Sequence, residues 1–239
     1  MRVGPHPHTG LHTVTWLLEG TEVHTDSLGS EQPIRPGELN LMTAGHGIAH
    51  AEQTPRGPAG VTHGVQLWVA QPEATRHGPQ RFEHHDELPS AGVGPLRVTT
   101  FVGAAAGVTS PVEVDSPLLG AQLSLDSGSA SLPLDPGFEH ALVVLEGRAA
   151  VDGEPLLPDV LARLPVGRHE VSLAADRPTT MLLLGGPPFE EQVLMWWNFV
   201  GRTREELAES VAQWNGGSTR FGPVRSELDR IPSPVPRWA

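Results

Sequence analysis

Glycine and proline divide this chain of 239 residues into short apolar segments. The chain holds 27 Gly and 24 Pro, and a proline inside a helix removes a hydrogen bond and clashes with the preceding turn. Between these residues lie apolar or alternating runs of the length of a strand. The clearest runs cover residues 13–18, 64–69, 96–101, 141–145 and 180–184. The pattern predicts an all-β sandwich or barrel.

One helix is predicted near the C-terminus. Thr203 followed by Glu206 forms a capping-box pair. Leu207, Val211 and Trp214 then recur at the spacing of one helical face, and an Asn-Gly-Gly sequence ends the helix. We expect this helix to pack on a sheet and the residues after it, rich in Pro and Arg, to form an extended tail.

The composition excludes several classes of site. The chain has no Cys, which excludes disulfides, Cys-ligated zinc and iron–sulfur clusters. All 16 basic residues are Arg, so no Schiff-base lysine exists. The net charge of −12 argues against direct nucleic-acid binding. Neither an apolar run near eighteen residues nor a signal-peptide pattern is present, so we expect a cytoplasmic protein with no membrane partner.

The sequence repeats itself. Residues 5–20 resemble residues 132–147, and residues 34–45 resemble residues 156–167, with glycine, proline and leucine matched. The repeat predicts two similar β-domains, with Gly103–Gly107 as a linker. The predicted segments are an N-terminal domain at 1–105, a C-terminal domain at 106–186, and a helix and tail at 187–239 that pack back on the domains.

Two short motifs in the first copy indicate a metal site. His6 and His8 form one pair with a spacing of two residues, and His50 and Glu52 form another. Alternate side chains of a strand point to the same face, so two facing pairs would offer three imidazoles and one carboxylate. That donor set suits a mononuclear divalent transition metal, with Fe(II) the first candidate and Mn, Ni, Cu and Zn left open. The alternative is that these are surface side chains at strand ends.

The second copy provides an internal comparison. The four candidate ligands fall there on Pro133, Asp135, Ser172 and Ala174, while the Gly, Pro and apolar framework is kept. If the histidines served folding alone, the second copy would need some of them. We therefore expect the N-terminal domain to carry the metal and the C-terminal domain to have no metal ligands.

The segments PHPHTGLHTVTWLLEG and PGELNLMTAGHGIAHAE, with MWWNFVGRTREELAESVAQW near the C-terminus, resemble the pirin family of bicupins. The resemblance implies two cupin-type β-barrel (jelly-roll) domains in tandem, with a metal, usually iron, in the first barrel. The family's ligands fall on His6, His8, His50 and Glu52. Some bacterial pirins are quercetin 2,3-dioxygenases, which open a flavonol ring with O2 and release carbon monoxide. Others are regulators that bind protein partners.

The chain departs from the family pattern in three ways. Pirins usually carry a few dozen residues before the His-x-His motif, whereas here five residues precede His6, so we expect the first strands of the metal barrel to be missing. His12 stands where many relatives have Glu, and His46 stands where many have Arg. His12 is a candidate partner of a ligand or a replacement ligand.

Two functions follow as hypotheses. In the first, the chain is a dioxygenase in which Glu52 is both a ligand and the base that takes the substrate's hydroxyl proton. Trp16, Met42 and Ile48 are then candidates for the wall around a flavonol-like substrate, or ordinary core. In the second, the metal sets a surface that a protein partner reads, without turnover. The polar sequence at residues 84–87 is expected to be a solvated loop.

Overall fold

The computed structural model describes residues 1–55 and 60–238. It divides into two compact units. The first comprises Met1–Glu87 together with the chain from Glu191 onward, and the second comprises Leu88–Glu190. The three segments drawn from the sequence repeat stay a prediction. In the described residues, no helix is long and apolar enough to cross a bilayer.

The first unit begins with two four-stranded antiparallel sheets. One sheet has the order β1-β6-β3-β4, and the other has the order β7-β2-β5-β8. β2 lies between two neighbours, which is why its residues from Leu11 to Leu17 are all buried. The strands are β1 (Arg2–His8), β2 (Leu11–Glu19), β3 (Glu22–Asp26), β4 (Glu31–Ile34), β5 (Leu39–Thr43), β6 (Ile48–Gln53), β7 (His63–Ala70) and β8 (Arg81–His85).

The second unit contains the remaining central strands. They are β9 (Ser90–Val93), β10 (Leu96–Val102), β11 (Ala104–Ala105), β12 (Val108–Thr109), β13 (Leu119–Leu125), β14 (Gly128–Pro133), β15 (Glu139–Glu146), β16 (Ala149–Val151), β17 (Glu154–Leu156), β18 (Leu161–Leu164), β19 (Glu170–Ala175) and β20 (Thr179–Gly186). The larger sheet has the order β18-β15-β20-β13-β10-β9, and a smaller one has the order β14-β19-β16-β17. Aliphatic side chains, among them Leu142, Leu173 and Leu183, fill the space between them.

The two units repeat one topology. The order β14-β19-β16-β17 matches β1-β6-β3-β4, and the order β20-β15-β18 matches β7-β2-β5. The sequence repeat therefore corresponds to a repeat of structure. The five strands predicted from the sequence are confirmed as β2, β7, β10, β15 and β20, and the all-β class is confirmed with them.

The C-terminal segment folds onto the first unit. β21 (Leu194–Trp196) and β22 (Phe199–Gly201) form a hairpin, and helix α1 (Arg204–Asn215) follows. The Thr203 hydroxyl accepts a hydrogen bond from the Glu206 backbone N–H at 3.2 Å, as the capping box predicts. The apolar stripe of α1 is buried in a cluster that includes Ala49 of β6. Because neighbouring residues of a strand face opposite ways, α1 covers the side of β6 that lies behind His50.

Two sequence expectations were wrong. The expected linker at Gly103–Gly107 is a hairpin of β11 and β12, in which Ala106 and Gly107 both have positive φ, as a two-residue type I′ turn requires. The expected loop at residues 84–87 begins inside β8, which pairs with β5. There the His84 ring is 2.8 Å from the Asn40 side-chain oxygen, so strand pairing outweighs the polar composition.

Candidate metal centre

The strands β1 and β6 bring three histidines together. His6 lies directly opposite His50 in the antiparallel register, and the register shifts between Val3 and His6. His6, His8 and His50 are buried, and each offers a ring nitrogen within 4.8 Å of the others. The Nε2 atoms of His8 and His50 are 3.0 Å apart. The two sequence motifs thus meet inside the first unit, not at strand ends on the surface.

Burial keeps these imidazoles neutral. The pKa values of His8 and His50 are held well below the ordinary value, first by burial and then by neighbouring histidines. Burial also lowers the pKa of His6, although its bond to the Gly4 carbonyl works in the opposite direction. Metals bind the neutral form of histidine. Three neutral imidazoles with converging nitrogens are a donor set that fits a divalent transition metal.

Glu52 belongs to a second, overlapping group. Its carboxylate groups with His24 and His50 rather than with all three histidines of the first group. One of its oxygens lies 3.8 Å from His50 Nδ1 and accepts a hydrogen bond from the Gln66 side chain. Gln66 is on β7 of the facing sheet, so this contact crosses the interior between the sheets.

Strand β3 contributes three site residues that the sequence reasoning missed. Glu22, His24 and Asp26 are all buried, and His24 lies opposite Glu52 in the register. The pKa of Glu22 is raised to about 8 by burial and by the charge and hydrogen bond of Glu52. Glu22, His24 and Asp26 are spaced two residues apart, as are His6 with His8 and His50 with Glu52. The same spacing could therefore have identified the three residues of β3 from the sequence.

Asp26 is held by several hydrogen bonds. Its Oδ2 is 3.1 Å from His24 Nε2, and its Oδ1 accepts from the backbone N–H groups of Leu28 and Ser30 at 2.9 and 3.0 Å. Burial works to raise the pKa of this carboxyl, but the bonds from His24 and Ser30 outweigh it and hold the pKa below its ordinary value. Asp26 is therefore ionised at neutral pH.

Aromatic rings flank the histidines. The Trp68 ring lies edge-on to His8 with centroids 5.0 Å apart, and it is 40% exposed. The Phe82 ring stacks on His24 with centroids 4.4 Å apart and planes 10° from parallel. The Trp68 indole N–H donates to the Gln66 side-chain oxygen at 3.3 Å. The histidine cluster thus lies beside a ring that reaches the surface.

The remaining candidate residues lie outside both groups. His12 is buried with its Nδ1 3.0 Å from the Thr43 hydroxyl, and His46 is exposed with its ring near His77. Trp16, Met42 and Ile48 are fully buried, the last two in one apolar cluster. In the described part of the second unit, no three His, Asp or Glu side chains converge in this way.

Comparison with known proteins identifies both halves of the chain. The family described as Pirin matches residues 1–69, and the Pirin C-terminal cupin domain matches residues 121–222. A Pseudomonas aeruginosa protein named "Putative quercetin 2,3-dioxygenase" is 44% identical over 240 residues, which are 100% of this chain and 76% of that protein. A pirin-like protein of Caulobacter vibrioides is 38% identical over 97% of this chain and 81% of its own length.

A solved structure has the same fold. The crystal structure of a quercetin 2,3-dioxygenase from Acinetobacter baumannii matches with a TM-score of 0.95 and 43% identity, covering 98% of this chain and 79% of that one. The match confirms the tandem cupin-type fold that the sequence resemblance implied. With the relatives above and the site on β1 and β6, it shows that this chain belongs to the pirin family.

Proposed function

We propose that this chain is a metal-dependent quercetin 2,3-dioxygenase that opens a flavonol ring with O2 and releases carbon monoxide. The observation that carries the proposal is the convergence of His6, His8 and His50, buried and neutral, within 4.8 Å. The names of the Pseudomonas and Acinetobacter relatives support the same reaction. His6, His8 and His50 would hold one mononuclear metal, which we propose to be Fe(II), and Glu52 would complete the set once its carboxylate turns from the Nδ1 side of His50 toward the other two histidines.

The donor atoms argue for this class of metal. Three imidazoles, one carboxylate and no sulfur suit a borderline divalent ion and match poorly the oxygen-rich sites of Mg²⁺ and Ca²⁺. When bound, Fe(II) supplies Lewis acidity toward the substrate's hydroxyl and the redox chemistry that O2 requires. The chain's own contribution is to keep the imidazoles neutral and aimed inward. For example, the His6 Nδ1–H donates a hydrogen bond to the Gly4 carbonyl at 2.9 Å. The lone pair on His6 Nε2 is then available to bind the metal.

In this proposal the carboxyl groups of Glu52 and Glu22 control the protonation of the substrate. Glu52 accepts the proton of the flavonol hydroxyl in this proposal, which makes the substrate an anion that is more easily oxidised. Gln66 donates to Glu52 and so orients it. Glu22 holds its own proton at neutral pH beside Glu52. Trp68 offers a half-exposed aromatic face next to His8, against which a planar substrate can stack.

The direct test is turnover by iron-loaded protein. Metal-free protein is loaded with Fe(II) without oxygen and then mixed with quercetin in air, and the loss of flavonol absorbance and the release of carbon monoxide are measured. We expect both signals to exceed those of free Fe(II). His8→Ala should reduce both to the free-iron background, whereas His84→Ala, on β8 outside both histidine groups, should retain them.

Failure of turnover has a clear meaning. If wild-type protein binds iron and quercetin absorbance does not fall above the free-iron background, the dioxygenase proposal is wrong for this substrate. Metal-dependent capture of a protein partner by that same inactive protein would then support the regulatory role.

A further inference from the structure

We infer that His24 and Asp26 form a positioning pair that aims His50 at the metal. The inference rests on the metal site proposed above and adds two residues to it. His24 Nδ1 lies 3.3 Å from His50 Nδ1, and His24 Nε2 lies 3.1 Å from Asp26 Oδ2. The three side chains form one buried chain of contacts that leaves His50 on the opposite side of its ring from His8, beside Glu52.

The position of the proton on each imidazole ring decides whether His50 can bind a metal. Because Asp26 accepts, His24 carries its proton on Nε2, and its Nδ1 then accepts from the Nδ1–H of His50. His50 Nε2 is left with a free lone pair, and that atom is the one 3.0 Å from His8 Nε2. A carboxylate bound to the far side of a ligating imidazole fixes its tautomer and raises its basicity.

The geometry separates this role from that of a ligand. His50 presents Nε2 to His8 but Nδ1 to His24, so one cation between His8 and His50 does not lie between His50 and His24. His24 is also fixed on its other faces, by the stacked Phe82 ring and by Asp26. Asp26 is in turn held by two backbone N–H groups. This is a rigid support for His50 and not a flexible donor.

The second unit is consistent with the assignment. Its strand β16 occupies the place of β3 in the repeated topology. His24 lies opposite Glu52, and the matching register in the second unit sets Ala150 opposite Ala174, so the histidine is absent there. The carboxylate that follows this strand, Asp152, instead accepts from the Ser172 backbone N–H and pairs with Arg168.

The test uses the whole chain, with Co(II) as the probe metal and its affinity measured by competition with a chelator. Asp26→Asn keeps the shape but removes the charge. His24→Gln places its amide near the Nε2 position and loses the contact with His50, whereas His24→Asn places an acceptor near the Nδ1 position and retains it. Thr25→Val, on the same strand, is the matched control, because its hydroxyl donates to the Ala51 carbonyl rather than to Asp26, His24 or His50.

We expect Asp26→Asn and His24→Gln to weaken Co(II) binding by about 10- to 100-fold. His24→Asn keeps the contact with His50 but loses Asp26, so its affinity should fall less than that of His24→Gln, and Thr25→Val should stay close to wild type. If Asp26→Asn binds Co(II) as tightly as wild type, the inference is overturned. If His24→Asn loses as much affinity as His24→Gln, His24 is a ligand or a packing residue and the positioning role is wrong. Should His24→Gln fail to fold, Asp26→Asn alone decides.

Quercetin turnover plays no part in this test. A wild-type protein that binds Co(II) but does not consume quercetin when loaded with iron contradicts the proposed function and leaves the pair in place. Unchanged Co(II) affinity in Asp26→Asn contradicts the pair and leaves the proposed function in place.

Discussion

Replacing Glu22 by Gln should change how the stability of the first unit depends on pH in the metal-free protein. Glu22 is 4% exposed and contacts Glu52, and its pKa is raised from 4.5 to about 8 by burial and by that neighbour. Between those two values the folded protein holds a proton that the unfolded chain has released. A proton bound more tightly in the folded state stabilises it at low pH, and this stability is lost as the pH rises toward 8.

The size of the effect follows from the linkage between proton binding and folding. Between pH 6.5 and 7.5 the unfolded carboxyl is ionised and the folded one is mostly protonated, so the contribution of Glu22 to the free energy of unfolding falls by about 1 kcal/mol. Glu22→Gln has no proton to release at this position and should lack that fall. The difference in slope, rather than the absolute stability, is the quantity predicted.

Below pH 6.5 the buried histidines act in the opposite direction. The pKa values of His8 and His50 are lowered by burial, so the unfolded chain takes up protons that the folded state excludes. Each histidine then costs about 1 kcal/mol of stability between pH 6.5 and 5.5. Glu22 offsets about half of this loss in wild-type protein. Wild-type stability should therefore be highest near pH 6.5, whereas Glu22→Gln should rise with pH and then level off.

The assay is urea denaturation followed by tryptophan fluorescence after removal of metal with a chelator. The chain has six Trp, and all six lie in the first unit, at positions 16, 68, 196, 197, 214 and 238. The signal therefore reports that unit alone. Glu31→Gln, at the exposed start of β4, is the matched control and should behave as wild type. Parallel slopes for wild type and Glu22→Gln above pH 6.5 would refute the reasoning.

Three further predictions concern single positions. Trp214→Ala should destabilise the first unit by about 3–5 kcal/mol in urea denaturation, because the ring is 2% exposed and packs edge-on against Phe221; a loss below 1 kcal/mol would show that α1 contributes little. Thr203→Ala should cost about 1 kcal/mol in the same assay, because it removes the hydroxyl that caps α1, and Thr203→Ser should restore most of it. His8→Ala should abolish stoichiometric metal in elemental analysis of purified protein, and equal metal in wild type and His8→Ala would exclude His8 as a ligand.

Much of the fold could be predicted from local sequence. Apolar runs bounded by Gly and Pro indicate strands because alternate side chains must be buried on one face, and Thr203 with Glu206 marks the start of α1 because both cap its free N–H groups. The repeat predicted that the two halves share a topology. The hairpin at Gly103–Gly107 could not be distinguished from a linker, because small residues suit both and only pairing decides between them.

The sequence by itself identified four candidate ligands, since His6 with His8 and His50 with Glu52 each share a strand face. The tertiary structure alone decided what they meet. The register shift in β1 sets His6 opposite His50, and the insertion of β3 between β6 and β4 brings Glu22, His24 and Asp26 to the same place. Strand register joins residues far apart in the chain through backbone bonds that are the same for every residue type. Local spacing therefore predicts a strand face but not the strand that will lie beside it.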